Sequence, residues 1–180
     1  LPLLKGKRVA IFANQTTVVF DRTHLVDTLV KQGVHIIKIF APEHGFRGTA
    51  DAGEKVNNSV DPTTGIKIIS LYGKNRKASA ADLADVDLLV FDIQDVGCRF
   101  YTYISSLEEF IESAVKAKLP LVVLDRPNPN GFYVDGPVLE KPFRSFIGMQ
   151  PIPVVYGMTM GEYAKMLVGE KWLDSSLAGQ

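Results

Sequence analysis

The sequence predicts an α/β protein built on a mostly parallel sheet with helices on both faces. Three observations carry that prediction. Short, nearly continuous apolar runs recur along the chain, as in Lys7–Ala13 (KRVAIFA) and Val86–Ile93 (VDLLVFDI), and strands buried on both faces of a parallel sheet read this way. Amphipathic segments separate them, clearest over Ser105–Lys118, where Leu107, Phe110, Ile111, Ala114 and Val115 fall at helical spacing. The two kinds of segment alternate steadily, which indicates βαβ units rather than hairpins.

In chain order, Lys7–Ala13 is the first predicted strand and His24–Gln32 (HLVDTLVKQ) a helix stopped by Gly33. Val34–Phe40 (VHIIKIF) is the second strand. The turn Asp61-Pro62-Thr63-Thr64-Gly65 leads into a third, Ile66–Leu71 (IKIISL). A short helix starts near Ser79, whose hydroxyl caps it. Val86–Ile93 is the fourth strand, Ser105–Lys118 the longest helix, and Leu119–Leu124 (LPLVVL) the fifth strand. A loop rich in Pro, Asn and Gly leads to Ile152–Tyr156, read as a sixth strand, and Thr159 caps a last helix over Gly161–Gly169. The expected architecture is Rossmann-like, that is, a doubly wound sheet. No hydrophobic closing element follows Trp172-Leu173, so residues 1–180 are expected to be one subdomain of a longer protein.

Composition narrows the function. The 180 residues suffice for one domain with a real core. Twenty basic residues balance twenty acidic ones, which leaves no electrostatic footprint for nucleic acid; the short cluster Lys74-Asn75-Arg76-Lys77 reads as a solvated loop. The single Cys98 excludes an intrachain disulfide and any multi-cysteine metal site. No stretch approaches the roughly 20 apolar residues of a membrane span. A chain that starts at Leu1-Pro2 rather than Met reads as trimmed, and export signals are removed from mature proteins.

The residues that follow the strands carry the chemistry. Strand one gives Asn14-Gln15-Thr16-Thr17, strand two Glu43, His44 and Arg47, and strand four Asp92, Gln94, Asp95, Arg99, Tyr101 and Tyr103. Strand five gives Asp125, Arg126 and Asn128, and the sixth gives Tyr156-Gly157-Met158-Thr159. In a parallel sheet these ends share one rim, where open α/β sheets place their ligands. Amides and hydroxyls with a few charges suit a polyhydroxylated ligand such as a sugar. Nucleotides are disfavoured, because the first strand–helix turn, Ala13-Asn14-Gln15-Thr16-Thr17, has no glycine to admit a pyrophosphate.

Glu43 is the candidate general acid, since partial burial at a strand end raises a carboxyl towards its working range; the alternatives are an ion pair with Arg47 or a loop cap. His44 is a candidate to orient Glu43, touch substrate or bind metal. His24 and His35 sit in predicted regular structure, so no His-rich metal centre is expected. Asp92 and Asp125 are second carboxylates or caps, with capping favoured for Asp125. Cys98 has no base nearby and is read as semi-buried. Phe100-Tyr101-Thr102-Tyr103 either stacks on a sugar face or packs the base of the next helix.

Several of these motifs together look familiar. Ala41-Pro42-Glu43-His44-Gly45-Phe46-Arg47-Gly48 with Ala52-Gly53-Glu54, then Phe91-Asp92-Ile93-Gln94-Asp95-Val96-Gly97 followed by Arg99-Phe100-Tyr101-Thr102-Tyr103, then Leu124-Asp125-Arg126-Pro127-Asn128-Pro129, and finally Tyr156-Gly157-Met158-Thr159-Met160-Gly161-Glu162, resemble the exo-β-N-acetylmuramidase family of the NamZ type, formerly a domain of unknown function. The resemblance runs from about Lys5 to Leu173. It implies a bacterial glycosidase that releases terminal N-acetylmuramic acid from the non-reducing end of peptidoglycan fragments in cell-wall turnover and recycling. It further implies an extracytoplasmic (periplasmic or secreted) location and a site shared with a C-terminal subdomain.

By that resemblance Glu43 is the catalytic glutamate, with His44 in support. No cofactor or metal is expected. The partners expected are muropeptides or disaccharides and the C-terminal subdomain. Glycoside cleavage commonly uses two carboxyl groups; Glu54, Asp92 or the substrate's own 2-acetamido group fills the second role. Arg47, Arg99 or Arg126 holds the lactyl carboxylate of the sugar in a charge-assisted fork. Asn14, Gln15, Gln94, Tyr101 and Asn128 complete the expected substrate contacts. Two alternatives remain at this point: a non-catalytic muropeptide-binding module, and a metal-dependent hydrolase using Glu43, His44 and Asp92.

Overall fold

The computed structural model describes residues 2–48, 51 and 57–177. Among these, six strands form one sheet: β1 (Val9–Ala13), β2 (Ile36–Ala41), β3 (Ser59–Val60), β4 (Lys67–Ser70), β5 (Leu88–Asp92) and β6 (Leu121–Val123). Their spatial order is β3-β4-β2-β1-β5-β6. All neighbours pair in parallel except β3, which runs antiparallel to β4 at the edge. Among the described residues, four α-helices accompany them: α1 (Leu25–Lys31), α2 (Ala80–Leu83), α3 (Tyr103–Ala117) and α4 (Met160–Gly169).

Both faces of the sheet are covered, as the apolar runs require. Every residue of β1 and β5 is buried. Alternate side chains point to opposite faces, so Phe12, Phe40, Leu89 and Phe91 pack against α3 and α4, while Ile11, Ile39 and Val90 pack against α1. Phe12, Phe91 and Phe110 form the centre of the first layer, with ring centroids 5.0 and 5.1 Å from Phe12. The order of the parallel strands reverses between β1 and β5, which is the doubly wound arrangement and sets the switch point there.

Helix boundaries follow local chemistry. Ser79 and Thr159 each accept a hydrogen bond from the backbone of the third helical residue, and the Asp82 and Glu162 carboxylates each accept one from the cap's N–H, which completes two capping boxes. The α1 cap is His24, whose Nδ1 accepts from the Val26 N–H at 3.2 Å. Helix α3 starts two residues before the expected Ser105 and ends at Lys118 in the left-handed region (φ 54).

The expected sixth strand is absent. Residues 152–156 form no ladder, only isolated bridges from Val155 to Cys98 and to Asp135. Pro151 and Pro153 flank Ile152 and have no N–H to offer a ladder. The sixth strand of the sheet is instead the two-residue edge strand β3.

Candidate active site

Strands β4, β2, β1 and β5 end side by side, so the segments that follow them share one rim. The turn after β2 is Pro42–Gly48. Phe46 is buried beneath it and its ring meets the His24 ring edge-on at 4.5 Å. His44 and Gly45 both take left-handed backbone angles (φ 67 and 74), a conformation that costs a non-glycine residue about 1–3 kcal/mol and gathers at functional sites. This anchored reversal presents Glu43, half-buried, at the rim.

Glu43 is held from the neighbouring strand end. The Tyr72 phenol, just past β4, donates to Glu43 Oε1 at 2.9 Å. Tyr72 has its own ionisation pushed up, first by that hydrogen bond, so it remains a donor at neutral pH. Tyr103, the first residue of α3, is also pushed up, chiefly by burial, with the Glu43 charge adding to the effect. The Tyr72 phenol is thus a hydrogen-bond donor seen on this carboxyl. Tyr72 escaped the sequence reading although the same rule, polar residues after a parallel strand, points to Leu71-Tyr72-Gly73.

The turn after β1 locks onto the end of β5 at the switch point. Asn14 Oδ1 accepts from the Thr16 N–H at 2.9 Å and from its hydroxyl at 2.6 Å. The Thr16 hydroxyl in turn accepts from the Gln94 N–H at 2.9 Å, and the Thr17 hydroxyl donates to the Asp92 carbonyl. Asn14 is fully buried, and its Nδ2 makes no hydrogen bond of standard geometry, though it approaches the Tyr103 phenol closely enough to influence it. Gln15 is exposed beside Gly48.

Two of the three arginines expected to grip a sugar carboxylate hold carboxylates of the chain itself. Arg47 spans Asp27 (2.7 and 2.9 Å) and Asp61 (2.9 and 3.1 Å) and stacks on the Phe46 ring. Arg126 binds both oxygens of fully buried Asp92 and donates also to the Val18 carbonyl. Both guanidiniums are held in the charged form by those carboxylates. Arg99 donates to the Pro137 and Ile152 carbonyls and, among the described residues, forms no ion pair.

The remaining expected residues divide between scaffold and surface. Gln94 ties the Asp95 and Pro127 carbonyls. Asn128 donates to the Met158 carbonyl and accepts from the Asn130 N–H, both at 2.8 Å. Tyr101 is exposed. Asp125 caps α4, accepting from the Thr159 hydroxyl and the Gly161 N–H. Tyr156 does not extend the rim: it is buried, and its phenol donates to Asp95. His24 is a structural histidine, kept neutral mainly by burial, with Nε2–H donating to the Asn14 carbonyl. Glu54 lies outside the described residues. A separate concavity of about 360 Å³, lined by Glu108, Glu112, Arg144, Gln150 and Trp172, shares no residue with this rim.

Residues 9–178 match the family model "Exo-beta-N-acetylmuramidase NamZ, N-terminal". The chain is 44% identical over 176 residues to the peptidoglycan β-N-acetylmuramidase NamZ of Bacillus subtilis (strain 168), covering 97% of this chain and 42% of that protein. Two crystal structures of DUF1343 family proteins from Bacteroides fragilis NCTC 9343 superpose with TM-scores of 0.86 and 0.88. They are 46% and 40% identical, over 98% and 96% of this chain and 46% and 44% of theirs. The chain thus spans less than half the length of the relatives it matches. Within that span the fold, the sequence identity and the family match agree: this chain belongs to the NamZ exo-β-N-acetylmuramidase family and corresponds to its N-terminal part.

Proposed function

We propose that this chain forms the acid-bearing half of a glycosidase that releases N-acetylmuramic acid from the non-reducing end of peptidoglycan fragments, outside the cytoplasm, in cell-wall turnover and recycling. The observation that carries this reading is the 44% identity to a peptidoglycan β-N-acetylmuramidase over 97% of the chain. The geometry supports a role for Glu43 as the general acid. It stands half-buried at the strand-end rim, with a phenol donor on one carboxyl oxygen.

In this reading Glu43 protonates the glycosidic oxygen as the bond to the anomeric carbon breaks. Asp92 is a poor second carboxylate, because Arg126 occupies both its oxygens. The 2-acetamido group of the substrate, Glu54, or a group from the remainder of the longer protein assists at the anomeric carbon. Arg99 is the arginine best placed to spare charge for the lactyl carboxylate, since Arg47 and Arg126 are committed elsewhere. His44 supports the site through its left-handed backbone, which shapes the turn.

The test is Glu43→Gln in a protein of the relatives' length that carries this chain. Turnover of N-acetylmuramyl-N-acetylglucosamine should fall by about 10²- to 10⁴-fold, the range of a lost general acid, while binding by calorimetry persists. Undiminished turnover would overturn the assignment. Disaccharide binding without turnover in the parent protein would favour a carbohydrate-binding module instead.

A further inference from the structure

The sheet places β4 beside β2, and the pairing continues one residue past the ladder, where the Leu71 N–H donates to the Ala41 carbonyl at 2.8 Å. The two chains then part. Pro42 leads into the turn that carries Glu43, and Gly73, in the left-handed region (φ 76), carries the other chain away. Tyr72 sits at that fork and reaches across it to Glu43 Oε1. The contact is therefore a product of strand adjacency between residues 29 apart in sequence.

A carboxylic acid has two unlike oxygens: the carbonyl oxygen accepts hydrogen bonds and the hydroxyl oxygen carries the proton. A phenol O–H on Oε1 makes Oε1 the carbonyl-like oxygen and favours the proton on Oε2. From the proposed function of Glu43 as acid, we infer that Tyr72 is its positioning residue, directing the acid proton to Oε2 and holding the carboxylate that remains. In the step itself, the proton leaves Oε2 for the glycosidic oxygen. The electron pair of the breaking C–O bond stays on that oxygen, and Glu43 becomes a carboxylate. The Tyr72 hydrogen bond then becomes charge-assisted and strengthens as the charge develops, so it favours the transition state over the ground state.

The inference is tested with Tyr72→Phe in the relatives'-length protein, on two substrates. One is the natural disaccharide, whose leaving sugar needs protonation. The other is a 4-nitrophenyl glycoside of N-acetylmuramic acid, whose leaving group departs as a stable phenolate. Loss of one hydrogen bond to a developing charge predicts a fall in disaccharide kcat of about 10- to 100-fold. KM should stay within about twofold, and the nitrophenyl glycoside should lose under about threefold. Adding Tyr72→Phe to Glu43→Gln should cost nothing further, because a positioning residue acts only through its partner. Equal losses on both substrates, or a further loss in the double variant, would overturn the role of Tyr72 and leave that of Glu43 standing. Full disaccharide turnover by Glu43→Gln alone would remove both.

Discussion

Arg126 closes on Asp92 through two parallel N–H···O bonds, Nε to Oδ1 at 2.6 Å and Nη2 to Oδ2 at 2.8 Å. Asp92 is the last residue of β5 and is fully buried, whereas the Arg126 side chain keeps 23% of its surface exposed. The pair bolts the loop after β6 to the switch point. Removing one partner of such a pair strands a buried charge, and Arg126→Met is expected to cost about 3 kcal/mol in urea unfolding. The double variant Asp92→Asn, Arg126→Met should regain part of that loss, because no charge is left behind.

The Arg47 network predicts a pH dependence. The Arg47 hydrogen bonds hold Asp27 below its ordinary carboxylate range. Burial pushes Asp61 up, but the hydrogen bonds from Arg47 and Thr64 outweigh it and leave it depressed as well. Groups with depressed folded-state values stabilise the fold above the ordinary aspartate pKa of about 3.9, and that contribution is lost as pH falls through the lower folded-state values. The parent protein should therefore lose stability steeply below about pH 4. Arg47→Met should be less stable at pH 7 and show a shallower acid decline, as read by thermal melts across pH.

Glu108 predicts the opposite slope. Burial pushes its carboxyl up to about 7, against hydrogen bonds from Gln150 at 2.6 Å and Tyr163 at 3.3 Å. The folded state thus keeps a proton that the unfolded chain gives up above about pH 4.5. Stability falls as pH rises from there to about 7, by an upper bound of about 3 kcal/mol. Glu108→Gln carries no ionisation and should flatten the decline between pH 5 and pH 8. A variant that follows the parent curve would show that Glu108 is ionised throughout.

Gly97 is tied to Asn128 by space. It takes φ 79, and a Cβ there would lie 2.7 Å from Asn128 Nδ2 and 2.8 Å from Cγ, and against Oδ1. Asn128 in turn holds the Met158 carbonyl and the Asn130 N–H. Gly97→Ala should cost at least about 1–2 kcal/mol from the left-handed backbone alone, with more from the displaced amide. Gly33, equally left-handed but with nothing within 4 Å of its would-be Cβ, provides the comparison: Gly33→Ala should lose only the backbone part.

Much of the fold was legible because its determinants are local. A capping box spans four residues, so Ser79 with Asp82 and Thr159 with Glu162 announce helix starts without reference to the rest of the chain. The apolar runs of β1 and β5 are long enough to read as buried strands. The false sixth strand came from weighing the apolar residues of 152–156 above Pro151 and Pro153, which the sequence displays openly. The true sixth, Ser59–Val60, is two residues long and has no pattern to read.

By itself the sequence determined the class of fold, the helix caps, the absence of a nucleotide turn and a rim of polar residues with Glu43 upon it. Only the tertiary structure decided which of those polar groups face one another. Arg126 meets Asp92 across 34 residues, and Arg47 meets Asp27 and Asp61 across 20 and 14. Tyr72 meets Glu43 because β4 lies beside β2. A charged residue at a strand end is equally suited to a ligand or to a partner of opposite charge. The choice is made by strand order, which sets the neighbours, and by burial, which makes an unpaired charge too costly to leave.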